Sequence, residues 1–486
     1  STSTSTSKSS SCACLWDMLE YVKYTYSTVL LIFSIVLVMG CIFTGQTTGT
    51  AQYNIHPILA CVLFWFFIGW LAHMEGGQGC LVGLKPIPSH TYKISHRQAY
   101  NCCQVAHQGE NLERFIIGRQ FLVVLVIFMI NMMGEATKGA TPFPLIPSWI
   151  NMIFIENNIA MMVTTIGVGQ LPAQVNAAVA MLDFIDNYIM VVTTYISLAI
   201  EFSGLLHCVY LVQYGFAYFL TPTTTSKVNY GSYDEEEEEP HNDDDDDEPP
   251  QTASVLPRIF WWGRVIFSLT VLGFALAVTI TALVEGKSGM WEFASHPAVA
   301  LVIFFVLLGL VGLMEGMQIA AFALLKMPDE ELSQYKIAHK NCRLMYEGTN
   351  LQSFLVGRQI FVAALMFIVA RIAAIHIDTE MGETNIFGVS DGVQEFLDTG
   401  LLGAIILTII GSLAWRVIAS SFPLLFMSNP LVYVIIRACF ILESTGVCSV
   451  SWLIAKVCKT VFHLHSDDEY LDLSTTDDND DDDIEN

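Results

Sequence analysis

Twice along this chain a long apolar run ends in a glutamate and a glutamine, and the next apolar run opens on an arginine. The first copy is Glu75-Gly76-Gly77-Gln78 followed by Gly118-Arg119-Gln120; the second is Glu315-Gly316-Met317-Gln318 followed by Gly357-Arg358-Gln359. An arginine at membrane depth costs roughly 2.5–3.5 kcal/mol on insertion scales, so it needs a partner and usually serves a purpose. The runs themselves belong to a bilayer: 53% of the residues are hydrophobic and only 14% are charged, against about 25% charged in soluble domains. A fold for this chain must therefore house two guanidiniums and two carboxylates in matching places.

The match extends along the whole chain. His56-Pro57 opens one apolar run and His296-Pro297 another. Tyr92-Lys93-Ile94-Ser95-His96 resembles Tyr335-Lys336-Ile337-Ala338-His339, and Asn111-Leu112 is repeated as Asn350-Leu351. Weaker echoes link Thr164–Gly167 with Thr408–Gly411, and Glu201-x-x-Gly204 with Glu443-x-x-Gly446. The halves are copies of one unit.

Hydropathy predicts five spans in the first copy: Tyr24–Phe43, Pro57–Met74, Phe115–Met133, Trp149–Leu171 and an overlong Tyr188–Leu220. The second copy has Ile259–Leu283, Pro297–Met314, Phe354–Ala374, Leu401–Phe422 and Leu431–Val457. An odd count turns the second copy over, so the expected fold is an all-α integral membrane protein with ten transmembrane helices as two five-helix inverted repeats. One feature pulls the other way. The connectors 79–114 and 320–353 are both basic, and the positive-inside rule would place both on one side. Lys8, Lys23, Lys456 and Lys459 favour both termini inside, which ten spans satisfy.

The formal charge of −25 resides at two places. Residues 234–248 carry 12 of the 47 acids and residues 466–486 carry 11, with no Lys or Arg in either, so the membrane body is close to neutral. Blocks of like charge repel and stay solvated. The expected domains are a disordered Ser/Thr-rich N-terminus at 1–20, a first five-helix repeat at 21–220 and an acidic disordered linker at 221–258. A second repeat at 259–460 and an acidic disordered tail at 461–486 follow. Cys12 and Cys14 read as juxtamembrane thiols or palmitoylation sites.

Gln78 stands three residues after Glu75, so a helix puts both on one face. Glu75 is the natural counter-charge for Arg119, with Glu113 and Glu110 as rivals, and Glu315 is the counterpart for Arg358. Each half thus offers carboxylate oxygens, two amides and a guanidinium fork, which together suit a small, neutral, polyhydroxylated solute. The alternative is a pair of structural ion bridges holding helices together. Glu201 and Glu443, each within an apolar run, are open to three readings: protonated and inert, sodium-coordinating, or proton-carrying. Neither His-Glu-x-x-His nor a P-loop is present, so enzyme chemistry has no anchor and no nucleic-acid signal exists.

In its paired Glu-Gly-x-Gln and Gly-Arg-Gln motifs the chain resembles the silicon transporters of diatoms and other silicifying eukaryotes, from about residue 20 to 460. The resemblance implies uptake of orthosilicic acid with sodium as the coupling ion and no other cofactor. The plasma membrane is the implied setting, with a silica deposition vesicle membrane second. It places substrate binding on Glu75, Gly76, Gln78, Gly118, Arg119 and Gln120, and on Glu315, Gly316, Gln318, Gly357, Arg358 and Gln359; Glu201 and Glu443 are candidates for the coupling ion. Two departures stand out. The acidic tail has no heptads where diatom members commonly carry a coiled coil, and Ala180-Met181-Leu182-Asp183 stands where they have Cys-Met-Leu-Asp. Rival readings are a transporter of another hydroxylated solute such as boric acid, and a membrane sensor that binds without transporting.

Overall fold

Helices form every long element of the computed structural model, which describes residues 6–51, 53–137, 139–220, 255–288, 296–325, 327–373, 375, 385–398 and 401–471. The acidic stretch 234–248 and the tail beyond 471 lie outside the described residues. The first half runs α1 (Thr6–Phe43), α2 (Pro57–Gly83), α3 (Arg97–Ala106), α4 (Asn111–Gly134), α5 (Ser148–Glu156), α6 (Ile159–Ala177), α7 (Met181–Ile185), α8 (Tyr188–Phe202) and α9 (Val209–Leu220). The second half repeats the series. It runs α10 (Val255–Glu285), α11 (Pro297–Leu324), α12 (Lys336–Tyr346), α13 (Asn350–Ala373), α14 (Asp391–Asp398), α15 (Leu401–Ser421), α16 (Pro423–Met427), α17 (Pro430–Ser444) and α18 (Val450–Val461). A short α19 (Asp468–Leu471) follows.

Among the described residues, six helices are long and apolar enough to cross a bilayer, and α5 with α6, bent by 54°, makes a seventh. Several boundaries differ from those predicted. α1 begins at Thr6, inside the stretch expected to be disordered, because a helix nucleated by the apolar run propagates at one hydrogen bond per residue. α2 does not close on Glu75 but continues to Gly83. Every residue from Met74 to Gly83 is buried, and that packing offsets the poor helix propensity of its glycines. The overlong span at 188–220 is two helices, and so is its counterpart at 431–457. Gly204 and Gly446 take φ of 83° and 81°, the left-handed cap that ends a helix, and their amides donate to the Glu201 and Glu443 carbonyls at 3.0 Å.

Packing within each half is matched. α2 packs on α4, α6 and α7; α11 packs on α13, α15 and α16. α4 lies along α8 and α13 along α17, so close that a Cβ on Gly118 would overlap the Ser197 carbonyl and one on Gly357 the Cys439 carbonyl. The C-terminal parts of α2 and α11 cross where the Phe322 ring covers Gly79. The halves also exchange elements. α9 of the first packs on α15 of the second, and α18 of the second packs on α6 of the first.

Candidate functional site

Four helices deliver the paired motifs to one place. α2 and α11 carry Glu75, Gln78, Glu315 and Gln318; α4 and α13 carry Arg119, Gln120, Arg358 and Gln359, and none of these side chains is more than 7% exposed. Arg119 lies eight residues into α4, about 12 Å along the axis at 1.5 Å per residue, and deeper than the sequence-predicted start at Phe115 implied. The motif glycines have a geometric job. A Cβ on Gly76 would press on the Phe184 ring and the Ala173 carbonyl, and one on Gly316 on the Phe426 ring and the Trp415 carbonyl. Gly76, Gly118, Gly316 and Gly357 thus let backbones approach until the charged side chains meet.

Ion pairing runs within each half. Arg119 Nη2 lies 2.7 Å from Glu75 Oε1, its Nε donates to the Met74 carbonyl at 3.1 Å and its Nη1 to Gln120 Oε1 at 3.0 Å. Arg358 Nη1 lies 3.5 Å from Glu315 Oε1, and its Nη2 donates to Gln359 Oε1 at 2.6 Å. The glutamine that follows each arginine fixes the guanidinium plane.

Three residues that the motifs did not reveal, Gln170, Gln174 and Arg416, complete the cluster. α6 inserts Gln174 and α15 inserts Arg416, each directly after the residue whose carbonyl covers a motif glycine. Gln174 Nε2 donates to Glu75 Oε2 at 3.1 Å and, across the halves, to Gln359 Oε1 at 3.4 Å. Arg416 Nη2 meets Glu315 Oε2, and its Nη1 donates across the halves to Gln78 Oε1 at 2.5 Å. Gln359 Nε2 also donates to Gln170 Oε1 at 2.7 Å. Both inserted helices contain a wide π-turn just before, at Thr165–Gln170 and Ile409–Leu413. Such turns re-aim the side chains that follow them and often mark functional sites.

Several buried polar atoms here have neither a hydrogen-bond nor an ion-pair partner among the described residues: Gln78 Nε2, Gln174 Oε1, Gln318 Oε1, Arg358 Nε, Ser412 Oγ and Arg416 Nε. An unpaired buried donor or acceptor costs about 1–3 kcal/mol. Donors and acceptors are mixed, which is the arrangement a hydroxylated solute satisfies.

The two outlying glutamates do not join this cluster. Glu201 is 2% exposed, with Arg114 Nε at 2.9 Å from Oε2; Tyr210 donates to Oε1 at 3.3 Å and Arg264 Nη2 lies 3.5 Å from it. Both oxygens face cations or donors, so the carboxylate is held as a charge anchor where α8, α9 and α10 meet. Arg264 comes from α10 of the other half and packs over Gly204; Lys23 of α1 packs over Gly446 in the same way, beside the half-buried Glu443. Glu443 has no arginine-rich cage comparable to that of Glu201 among the described residues.

Asp183 sits at a third node. It takes His96 Nε2 at 2.9 Å, the Tyr470 hydroxyl at 3.3 Å and the His465 amide at 2.6 Å, while Asp467 accepts from the Leu182 amide at 3.0 Å. Residues 465–470, expected to be part of a disordered acidic tail, therefore form a strap over α7. Asp467 is 2% exposed, so the first acid of the tail is a buried acceptor and not a solvated charge. Among the described residues no group of three or more His, Cys, Asp and Glu side chains is placed to hold a metal ion.

A family model described as silicon transporter matches residues 16–231 and 241–485, nearly the whole chain. No curated protein and no solved structure matches it.

Proposed function

Because the chain belongs to the silicon transporter family, multi-pass membrane transporters and not enzymes, we propose that it moves orthosilicic acid through the central cluster, coupled to sodium, by alternating access of two inverted repeats. The observation that carries this reading is the mixture of unpaired donors and acceptors on Gln78, Gln174, Gln318, Arg358 and Arg416, buried where the two halves meet. Silicic acid presents four hydroxyls, each able to donate and accept.

Helix lengths support a reading of ten passes. α8 and α9 have 15 and 12 residues, as do α17 and α18. At 1.5 Å per residue these rise about 22 Å and 18 Å, each short of a ~30 Å hydrocarbon core, so each pair counts as one broken pass. With α13 beside the seven spans above, each half makes five passes, and the second enters inverted. Glu201 is caged, so we place sodium near the wide turns of α6 and α15, where the change in backbone hydrogen-bond pattern can present carbonyl oxygens to a cation. The direction is import across the plasma membrane, a setting that labelling of the intact cell surface checks.

Reconstituted protein tests the reading. Uptake of silicic acid or a germanium tracer should rise with an inward sodium gradient. Binding without uptake would make the protein a sensor, equal uptake of boric acid would make silicon incidental, and indifference to sodium would remove the coupling.

A further inference from the structure

The two halves would be matched in charge if position 416 held a glutamine, as position 174 does. Instead the cluster holds three guanidiniums, Arg119, Arg358 and Arg416, against two carboxylates, Glu75 and Glu315, all at most 5% exposed. The principal charges acting on Arg119 are Glu75, Arg416 and Glu315; those acting on Arg358 are Glu315, Arg416 and Glu75. The Glu201 cage is a separate cluster in which Arg114 and Arg264 face Glu201, with Glu113 alongside. A surplus positive charge so deep is expensive unless something neutralises it.

The surplus belongs to the second half. Glu315 serves both Arg358 and Arg416, whereas Glu75 serves Arg119 alone. Spare donors lie beside it: Arg358 Nε and Arg416 Nε on the second half and Gln78 Nε2 on the facing α2, with Gln318 Oε1 as a spare acceptor. A neutral hydroxyl would satisfy those donors and leave the charge standing. An oxyanion satisfies both, and charge-assisted bonds to guanidinium are the stronger kind.

We propose that the site takes its substrate as a monoanion: silicic acid bound as (HO)3Si–O⁻, its oxyanion against Arg358 and Arg416 and one hydroxyl donating to Gln318. The proposal rests on the transport reading above and sharpens it. On binding, the neutral acid gives one O–H proton to solvent; every Si–O bond is kept and nothing is oxidised or reduced.

The test is proton release. Full-length protein in detergent, weakly buffered near pH 7 with an indicator dye, is titrated with silicic acid. One proton should appear per silicon bound, and affinity for total silicon should tighten about tenfold per pH unit, as linkage requires of a group still protonated in solution. Arg416→Gln should bind without releasing a proton and with affinity flat in pH; Arg416→Lys, which keeps the charge, should still release it and controls for misfolding of the first variant. Silicon bound by the native protein without proton release would overturn the proposal and leave the transport reading standing. Folded protein that neither binds nor transports silicon would overturn that reading instead. Repeating the titration in gluconate and in chloride closes the last route: silicon bound in chloride with no proton released would mean that halide carries the neutralising charge, and the proposal falls.

Discussion

The first half of the molecule answers one arginine with a glutamate and a glutamine; the second answers two arginines with a single glutamate. Everything around that difference is matched: the glycine contacts at 118 and 357, the left-handed breaks at 204 and 446, and the wide turns in α6 and α15. The features shared by both copies hold helices in place. The difference between Gln174 and Arg416 lies where the copies face each other, so the two walls of the central site are chemically unequal.

The largest effect should come from removing the carboxylates. Glu75→Ala strands one buried guanidinium and should cost about 3–5 kcal/mol. Glu315→Ala strands two and should cost more, read as the drop in melting temperature in detergent; equal drops would break the comparison. Pairing itself is tested by a cycle on Glu75 and Arg119, where the double variant should lose less than the two single losses added together.

Exchange of the unequal pair comes next. Arg416→Gln should weaken silicon uptake roughly tenfold to a hundredfold, the range for a lost charge-assisted bond. Adding Gln174→Arg restores the charge count on the opposite wall. Recovery of uptake would show that the count matters, and no recovery that the place does.

Gly118→Ala and Gly357→Ala sharpen the matched part. Each puts a methyl into a neighbouring helix carbonyl, so each should destabilise by about 1–3 kcal/mol or more, and by similar amounts. The strap over α7 predicts a smaller loss: Asp467→Ala leaves the buried Leu182 amide unpaired, for about 1–2 kcal/mol, whereas truncation after Leu471 should be silent. Smallest is a null result. Burial pushes the thiols of Cys103 and Cys342, on the matched connector helices α3 and α12, up to about 12. A raised thiol pKa keeps thiolate scarce through neutral pH, so maleimide should leave both unlabelled at pH 7 in the folded protein, as mass spectrometry would show.

Much of this was legible in the sequence. The repeat, the helix-opening His-Pro pairs and the Glu75–Arg119 and Glu315–Arg358 pairings could be read from motif spacing, because identity between copies picks out what both copies need. The same method hid Gln174 and Arg416, which occupy one place in the fold but share no residue type. A lone arginine within the apolar run Leu401–Phe422 was the available signal, by the argument that singled out Arg119. The helix breaks were visible too, as Glu-x-x-Gly, but a glycine three residues after a glutamate announces a cap only when its φ is known. The strap on Asp183 had no local signal at all, since its partners lie more than 280 residues apart along the chain.

The exchange of α9 and α18 bears on how the chain is made. α9 leaves the ribosome long before α15, the helix it packs on, and α6 waits for α18, more than 270 residues further along the chain. Ser27 of α1 likewise waits for Val447 and Val450, to which its hydroxyl is bonded. Contacts of such long sequence separation are slow to form. Neither half can therefore reach its final packing alone. Separately expressed halves should be held by chaperones or degraded, while the two produced together, even with the linker cut, should assemble into one stable body.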